Sequence, residues 1–235
     1  MKRIFIIGDS ISLYYHKYLK ELFKDVAEYK RKGSEEDIKI ALEDPNNPFG
    51  ANGGDSRQVK EYMEKMKKQN IHVDILIVNC GLHDIRSDRI TLQKQVPEEE
   101  YAKNLEDIIK IGKEIAEEFI WISTTHVDDN LHQQRKEGCF RFNKDVLKYN
   151  EIANDIMKKN GIRIIDLYKC TYNLKNANMY RDHVHYTDEI SKKQAEFIYY
   201  LKALMHIALM SLKFQKSYSN FYVHMLSYVS IKYLK

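Results

Sequence analysis

The stretch 5-FIIGDSIS-12 ends a β-branched, apolar run on a glycine, an acid and a hydroxyl, and then turns polar-apolar in a helical rhythm. An apolar run of this length, without alternation, suits a strand covered on both faces. The helical pattern that follows makes the unit strand–turn–helix. The same unit recurs outward along the chain. Strand-like runs are expected at residues 3–7, 26–29, 74–79, 119–123 and 163–167. "DILIVNCG" and "FIWIST" show the same near-continuous apolar character. Helical segments are expected between them, at about 13–24, 56–68, 98–118 and 143–160, and a late one at about 188–212. Pro97 followed by three acids is a helix start. Such alternation predicts an α/β fold: one parallel sheet of five strands wrapped by helices on both faces, a three-layer α/β/α sandwich.

Composition narrows the classes. The chain has 235 residues, 43% of them hydrophobic, with 38 basic and 34 acidic side chains. The excess of charge is local: residues 213–235 carry Lys213, Lys216, Lys232 and Lys235 and no acid. The body is therefore neutral, and no electrostatic case for nucleic acid remains. Phe214, Tyr218, Phe221, Tyr222, Met225, Leu226 and Val229 recur at helical spacing, so an added C-terminal amphipathic helix is expected. Its expected role is packing on the body or on a second copy, making a homo-oligomer. The domain division expected is 1–212 and 213–235. The stretch 197–212 is interrupted by Lys202 and His206 and is too short for a transmembrane span. Cys80, Cys139 and Cys170 have neither metal-ligand nor disulfide spacing, and no signal peptide is seen, so a cytoplasmic location is expected.

In an open parallel sheet, ligands bind beyond the carboxyl ends of the strands. Gly8-Asp9-Ser10 falls there, at the start of a helix whose free N–H groups face the same edge. Taken alone, the tripeptide reads first as a helix cap and only second as a nucleophile with an anion site beside it. Three further stretches belong to the same edge: 52-NGGDSRQV-59, 78-VNCGLHDI-85 and 181-RDHVHYTDE-189.

With these four blocks the chain resembles the GDSL/SGNH hydrolases, serine esterases of flavodoxin-like fold. Gly8-Asp9-Ser10 matches the first block, Gly54-Asp55-Ser56 the second, Gly81-Leu82-His83-Asp84 the third, and Asp182-His183-Val184-His185 the last. The resemblance runs from residue 4 to about 205. It implies sheet order 2-1-3-4-5, a catalytic set Ser10, His185 and Asp182, and an oxyanion hole built from the N–H groups of Ser10 and Gly54 with His83. The family's asparagine is replaced here by His83. A neutral imidazole donates one N–H; an imidazolium would need low pH or a carboxylate such as Asp84. The implied activity is ester hydrolysis through an acyl-serine intermediate, with no cofactor and no metal. A short acyl ester, acetyl on a carbohydrate, is preferred. A lipase or thioesterase of the same family and a non-catalytic ligand-binding module are the alternatives.

Asp9, Asp84, His126 and Arg57 are candidates for contacting substrate. Asp9 and Asp84 also suit turn-shaping, and Arg57, like Arg181, suits either a surface ion pair or an anionic substrate. His183 reads as a bystander. His126, Asp128 and Asp129 are too loosely spaced for a metal. The loops 33–55 and 124–142 are expected to shape the pocket.

Overall fold

The computed structural model describes residues 1–45, 50–174 and 178–214. Its strands are β1 (Lys2–Ile7), β2 (Ala27–Arg31), β3 (Val73–Val78), β4 (Ala116–Ile122) and β5 (Arg163–Ile165). They form one sheet in the order β2-β1-β3-β4-β5 with every pair parallel, as expected. The helices are α1 (Ser10–Phe23), α2 (Glu35–Glu43), α3 (Ser56–Lys68), α4 (Glu98–Ile115), α5 (Asp129–Gln133), α6 (Asn143–Lys159), α7 (Leu167–Asn173) and α8 (Asp188–Phe214). α1 and α8 pack on each other, with α2 against α1 and α7 against α8. α3, α4 and α6 pack together as the other layer.

The apolar runs become strands because both faces are covered. Leu76, Ile77 and Val78 of β3 and Ile120 and Trp121 of β4 are wholly buried. Each such side chain contributes ~1.5–3 kcal/mol by leaving water. Phe23 closes α1 onto the core, its ring 5.1 Å from Tyr199 of α8 and 5.5 Å from Tyr29 of β2.

Several boundaries differ from expectation for physical reasons. α1 starts at Ser10, not three residues later, because Asp9 caps it. The helical rhythm of 98–118 overruns its helix: α4 stops at Ile115, and residues 116–118 already pair with β3, Ala116 beside Val73 and Glu118 beside Ile75. β5 keeps three residues, since Asp166 caps α7 and draws Leu167 into that helix. The expected loop 33–55 contains α2, whose start is a capping box of Ser34 and Asp37. α8 runs to Phe214, two residues beyond its expected end. The expected C-terminal amphipathic helix lies otherwise outside the described residues. Among those described, no helix is long and apolar enough to cross a membrane.

Candidate active site

β1 is flanked by β2 and β3, and the chain leaves it toward one side and returns to the other. That reversal opens a crevice at the carboxyl ends of β1 and β3. Ser10 stands there as the first residue of α1. Asp9 is the N-cap: its Oδ1 accepts the Ile11 N–H at 2.9 Å. Gly8 is required by crowding, for a Cβ there would lie 2.9 Å from that of Ser12. Arg31, the last residue of β2, is buried behind this turn. Its Nη2 donates to Ser12 Oγ and to the Ala51 carbonyl, both at 2.9 Å. The Gly53 N–H donates to the Gly8 carbonyl at 2.9 Å. The first and second blocks are thus tied together by one buried guanidinium and one backbone bond.

The last block arrives on a tight reversal. Arg181 N–H donates to the His185 carbonyl and Thr187 N–H to the Met179 carbonyl, each at 2.9 Å. Inside it, Asp182 Oδ1 accepts the N–H groups of Val184 and His185 at 2.8 and 2.9 Å. Its Oδ2 lies 2.6 Å from His185 Nδ1. His185 Nε2 in turn lies 2.8 Å from Ser10 Oγ, across 175 positions of sequence. The His185 side chain is wholly buried, and the Tyr14 ring packs on it with centroids 5.1 Å apart. The Arg181 guanidinium covers Tyr14 at 4.4 Å, so the imidazole is backed by a fixed stack. Burial acts to raise the Asp182 pKa. The bond and charge of His185 and the two backbone N–H groups more than reverse this, holding the carboxyl well below its usual range. An ionised Asp182 keeps a proton on Nδ1 and leaves Nε2 free to accept the serine hydroxyl.

The residues expected at the oxyanion position have mixed surroundings. Ser10 N–H belongs to the first turn of α1, where no intrahelical acceptor exists. Gly54 N–H is engaged: it donates to Asn52 Oδ1 at 3.0 Å. His83 is 1% exposed, and its Nδ1 has no hydrogen-bond partner. Burial, helped by the charges of Arg86, Arg141 and His185, pushes its pKa well below the ordinary value. His83 is therefore a neutral imidazole. The neighbouring block is held by Gly81, whose φ of +147° and 2.1 Å approach of a would-be Cβ to Thr124 Oγ1 exclude any side chain.

The other candidates each have partners within the protein. Asp9 is the cap just described. Asp84 is wholly buried and its Oδ1 accepts the Ser56 N–H at 2.9 Å, joining the third block to α3; burial raises its pKa to about 7. Arg57 pairs with Asp55 at 2.8 Å and leans toward Glu100. His126 is buried among tyrosines, its carbonyl accepting the Tyr186 hydroxyl at 2.6 Å. Asp128 caps α5 and Asp129 accepts the Asn143 N–H. His183 is half-buried against His132, ring centroids 5.0 Å apart. Among the described residues, no three potential ligands are gathered for a metal. Sequence reasoning missed Tyr14, Arg31 and Asn52. Arg31 carried a signal, a charged residue closing a strand at the ligand-bearing edge.

No curated protein matches the sequence significantly. Among solved structures, a catalytic mutant of an acetylxylan esterase from Geobacillus stearothermophilus superposes with a TM-score of 0.60 at 15% identity, covering 84% of this chain and 92% of that one. A member of the lipolytic protein G-D-S-L family from Veillonella parvula gives 0.58 at 13% identity, covering 83% and 94%. A lipase/acylhydrolase from Enterococcus faecalis gives 0.52 at 16%, covering 85% and 94%. At such identities the likeness establishes the fold. The model of the GDSL-like lipase/acylhydrolase family, however, matches residues 4–198, a span that holds all four blocks, and the chain belongs to that family.

Proposed function

We propose that the protein is a serine esterase working through an acyl-serine intermediate. The observation that carries this reading is the continuous line Asp182–His185–Ser10, with contacts of 2.6 and 2.8 Å. Ser10 Oγ attacks the ester carbonyl while His185 Nε2 takes its proton. The Asp182 carboxylate steadies the imidazolium. The carbonyl oxygen, now an anion, draws on the Ser10 N–H, on an N–H of His83 and on Gly54. An oxyanion is a stronger acceptor than the Asn52 amide and competes for the Gly54 hydrogen. Collapse expels the alcohol, which leaves with the proton from His185. Water then attacks the acyl-serine, His185 takes the water's proton, and the acid departs with Ser10 restored. The favoured substrate is a short acyl ester, acetyl on a carbohydrate, the class named for the structurally similar Geobacillus enzyme.

A ligand-binding module that keeps the fold is the second reading. It draws on His83 in place of asparagine and on the engaged Gly54 N–H. Turnover of p-nitrophenyl acetate and butyrate separates the two. Wild type is expected to hydrolyse them, and Ser10→Ala and His185→Ala to lose about 10⁴-fold or more in kcat. A folded wild type without activity supports the binding module. Activity surviving in Ser10→Ala refutes the nucleophile.

A further inference from the structure

Beside the crevice lies a separate cavity of about 720 Å³, and its wall carries four arginines: Arg86, Arg89, Arg135 and Arg141. Asp88, the carboxylate in that wall, is already committed, its Oδ1 accepting the N–H groups of Ile90 and Thr91 and the Thr91 hydroxyl at 2.8–3.0 Å. Lys94, also in the wall, is paired with Asp145. Among the described residues, no carboxylate pairs with Arg89, Arg135 or Arg141. Arg89 lies over the Phe140 ring at 4.2 Å and donates to the Arg135 carbonyl at 3.2 Å. Arg141 is 3% exposed; its Nε donates to the Leu82 carbonyl at 2.6 Å, and its Nη1 is buried with no partner.

Such an arrangement is costly without an anion. A buried guanidinium is tolerated when its donors and its charge are answered. Burial has already pushed Arg141 down to about 10. The arginines singled out from sequence are different, since Arg57 has Asp55 and Arg181 has Asp188. A guanidinium fork matches the paired oxygens of a carboxylate or a phosphate. The cavity has the volume of a small-ligand site. It adjoins the crevice through Arg141, which grips the residue before His83 and whose charge is felt by Asp9 and His83.

We infer that this cavity is a subsite for an oxyanion, a carboxylate or phosphate, borne by the ester whose carbonyl lies at Ser10. The inference rests on the esterase reading and narrows it to acidic esters, such as an acylated acidic or phosphorylated sugar.

The test compares three acetyl esters: 4-acetoxybenzoate, 4-acetoxyphenyl phosphate and the neutral methyl 4-acetoxybenzoate. The readout is the ratio of kcat/KM for charged over neutral ester, compared between proteins so that leaving-group differences cancel. Arg135→Gln and Arg89→Gln are expected to lower the ratio at least tenfold, and Arg135→Lys to recover part of it. Whichever charged ester loses more names the group. Calorimetric titration with inorganic phosphate and with benzoate runs in parallel on wild type, Arg135→Gln and His185→Ala. Saturable binding weakened in Arg135→Gln but kept in His185→Ala supports the site. Ratios unmoved by both Gln variants, with no saturable anion binding, overturn it and leave the esterase standing. Anion binding through Arg135 with no ester hydrolysed by wild type overturns the assignment as a substrate subsite together with the esterase reading.

Discussion

Asp182 spends one oxygen on two backbone N–H groups and the other on His185. This division fixes the ring orientation and lowers the folded-state pKa of the carboxyl. The consequence for stability has a sign. A depressed carboxyl pKa stabilises the fold above the unfolded value of about 4 and loses that contribution as pH falls further. The melting temperature of Asp182→Asn is therefore expected below that of wild type at neutral pH. The gap should narrow on acidification from about pH 5 to about pH 2.5. A gap independent of pH contradicts the assigned cause. His83 gives a second outcome at this scale. Because the ring is neutral, asparagine should serve in its place: His83→Asn is expected to keep kcat within about tenfold and leave the pH profile unshifted, while His83→Ala loses ~10²–10³-fold. Equal activity in the alanine variant removes His83 from the oxyanion site. That Ser10, Asp182 and His185 would meet was legible through the resemblance, because its motifs are short and local. Tyr14 was not, since a tyrosine four residues into a helix looks like ordinary packing until the last block is folded against it.

The elements meet the crevice at their ends, and their caps set the spacing. Asp55 caps α3 through the N–H groups of Arg57 and Gln58, while Gln58 returns a bond to the Asp55 N–H. Its other oxygen holds Gln95 at 2.7 Å, on the segment leading to α4. Asp55→Ala is expected to cost about 1 kcal/mol from the cap alone, read by urea denaturation. It is also expected to lower kcat, because Gly54 loses its anchored neighbour. Asp55→Asn, which keeps an acceptor, should retain most of both. An alanine variant of wild-type stability contradicts the capping account. Helix starts of this kind were readable: Asp55 with Gln58, Pro97 before its acids, and Ser34 with Asp37, which lay in plain view inside a stretch read as loop. The junction of α4 and β4 was not readable. Residues 116–118 continue a helical rhythm, and only pairing with β3 decides for strand.

For the whole molecule, strand–helix alternation predicts the parallel sheet, and it was available from the sequence because each apolar run is nearly continuous. The order β2-β1-β3-β4-β5, which places the switch point beside β1, came from the resemblance. What the sequence hid is how distant loops close on each other. Arg31 reaching Ala51, and Arg141 reaching Leu82, depend on side chains crossing between loops with no mark in local spacing. Ser10 and His185 come together only when the sheet and α8 are both in place, since the last block is the entry to α8. The measurement that tests this most directly is peptide mapping by mass spectrometry after brief treatment with a fluorophosphonate. The account predicts one adduct on Ser10 in the native protein, and none on Ser10 in His185→Ala or in urea-unfolded wild type. An adduct on another residue in the native protein, or Ser10 labelling undiminished in His185→Ala, contradicts it.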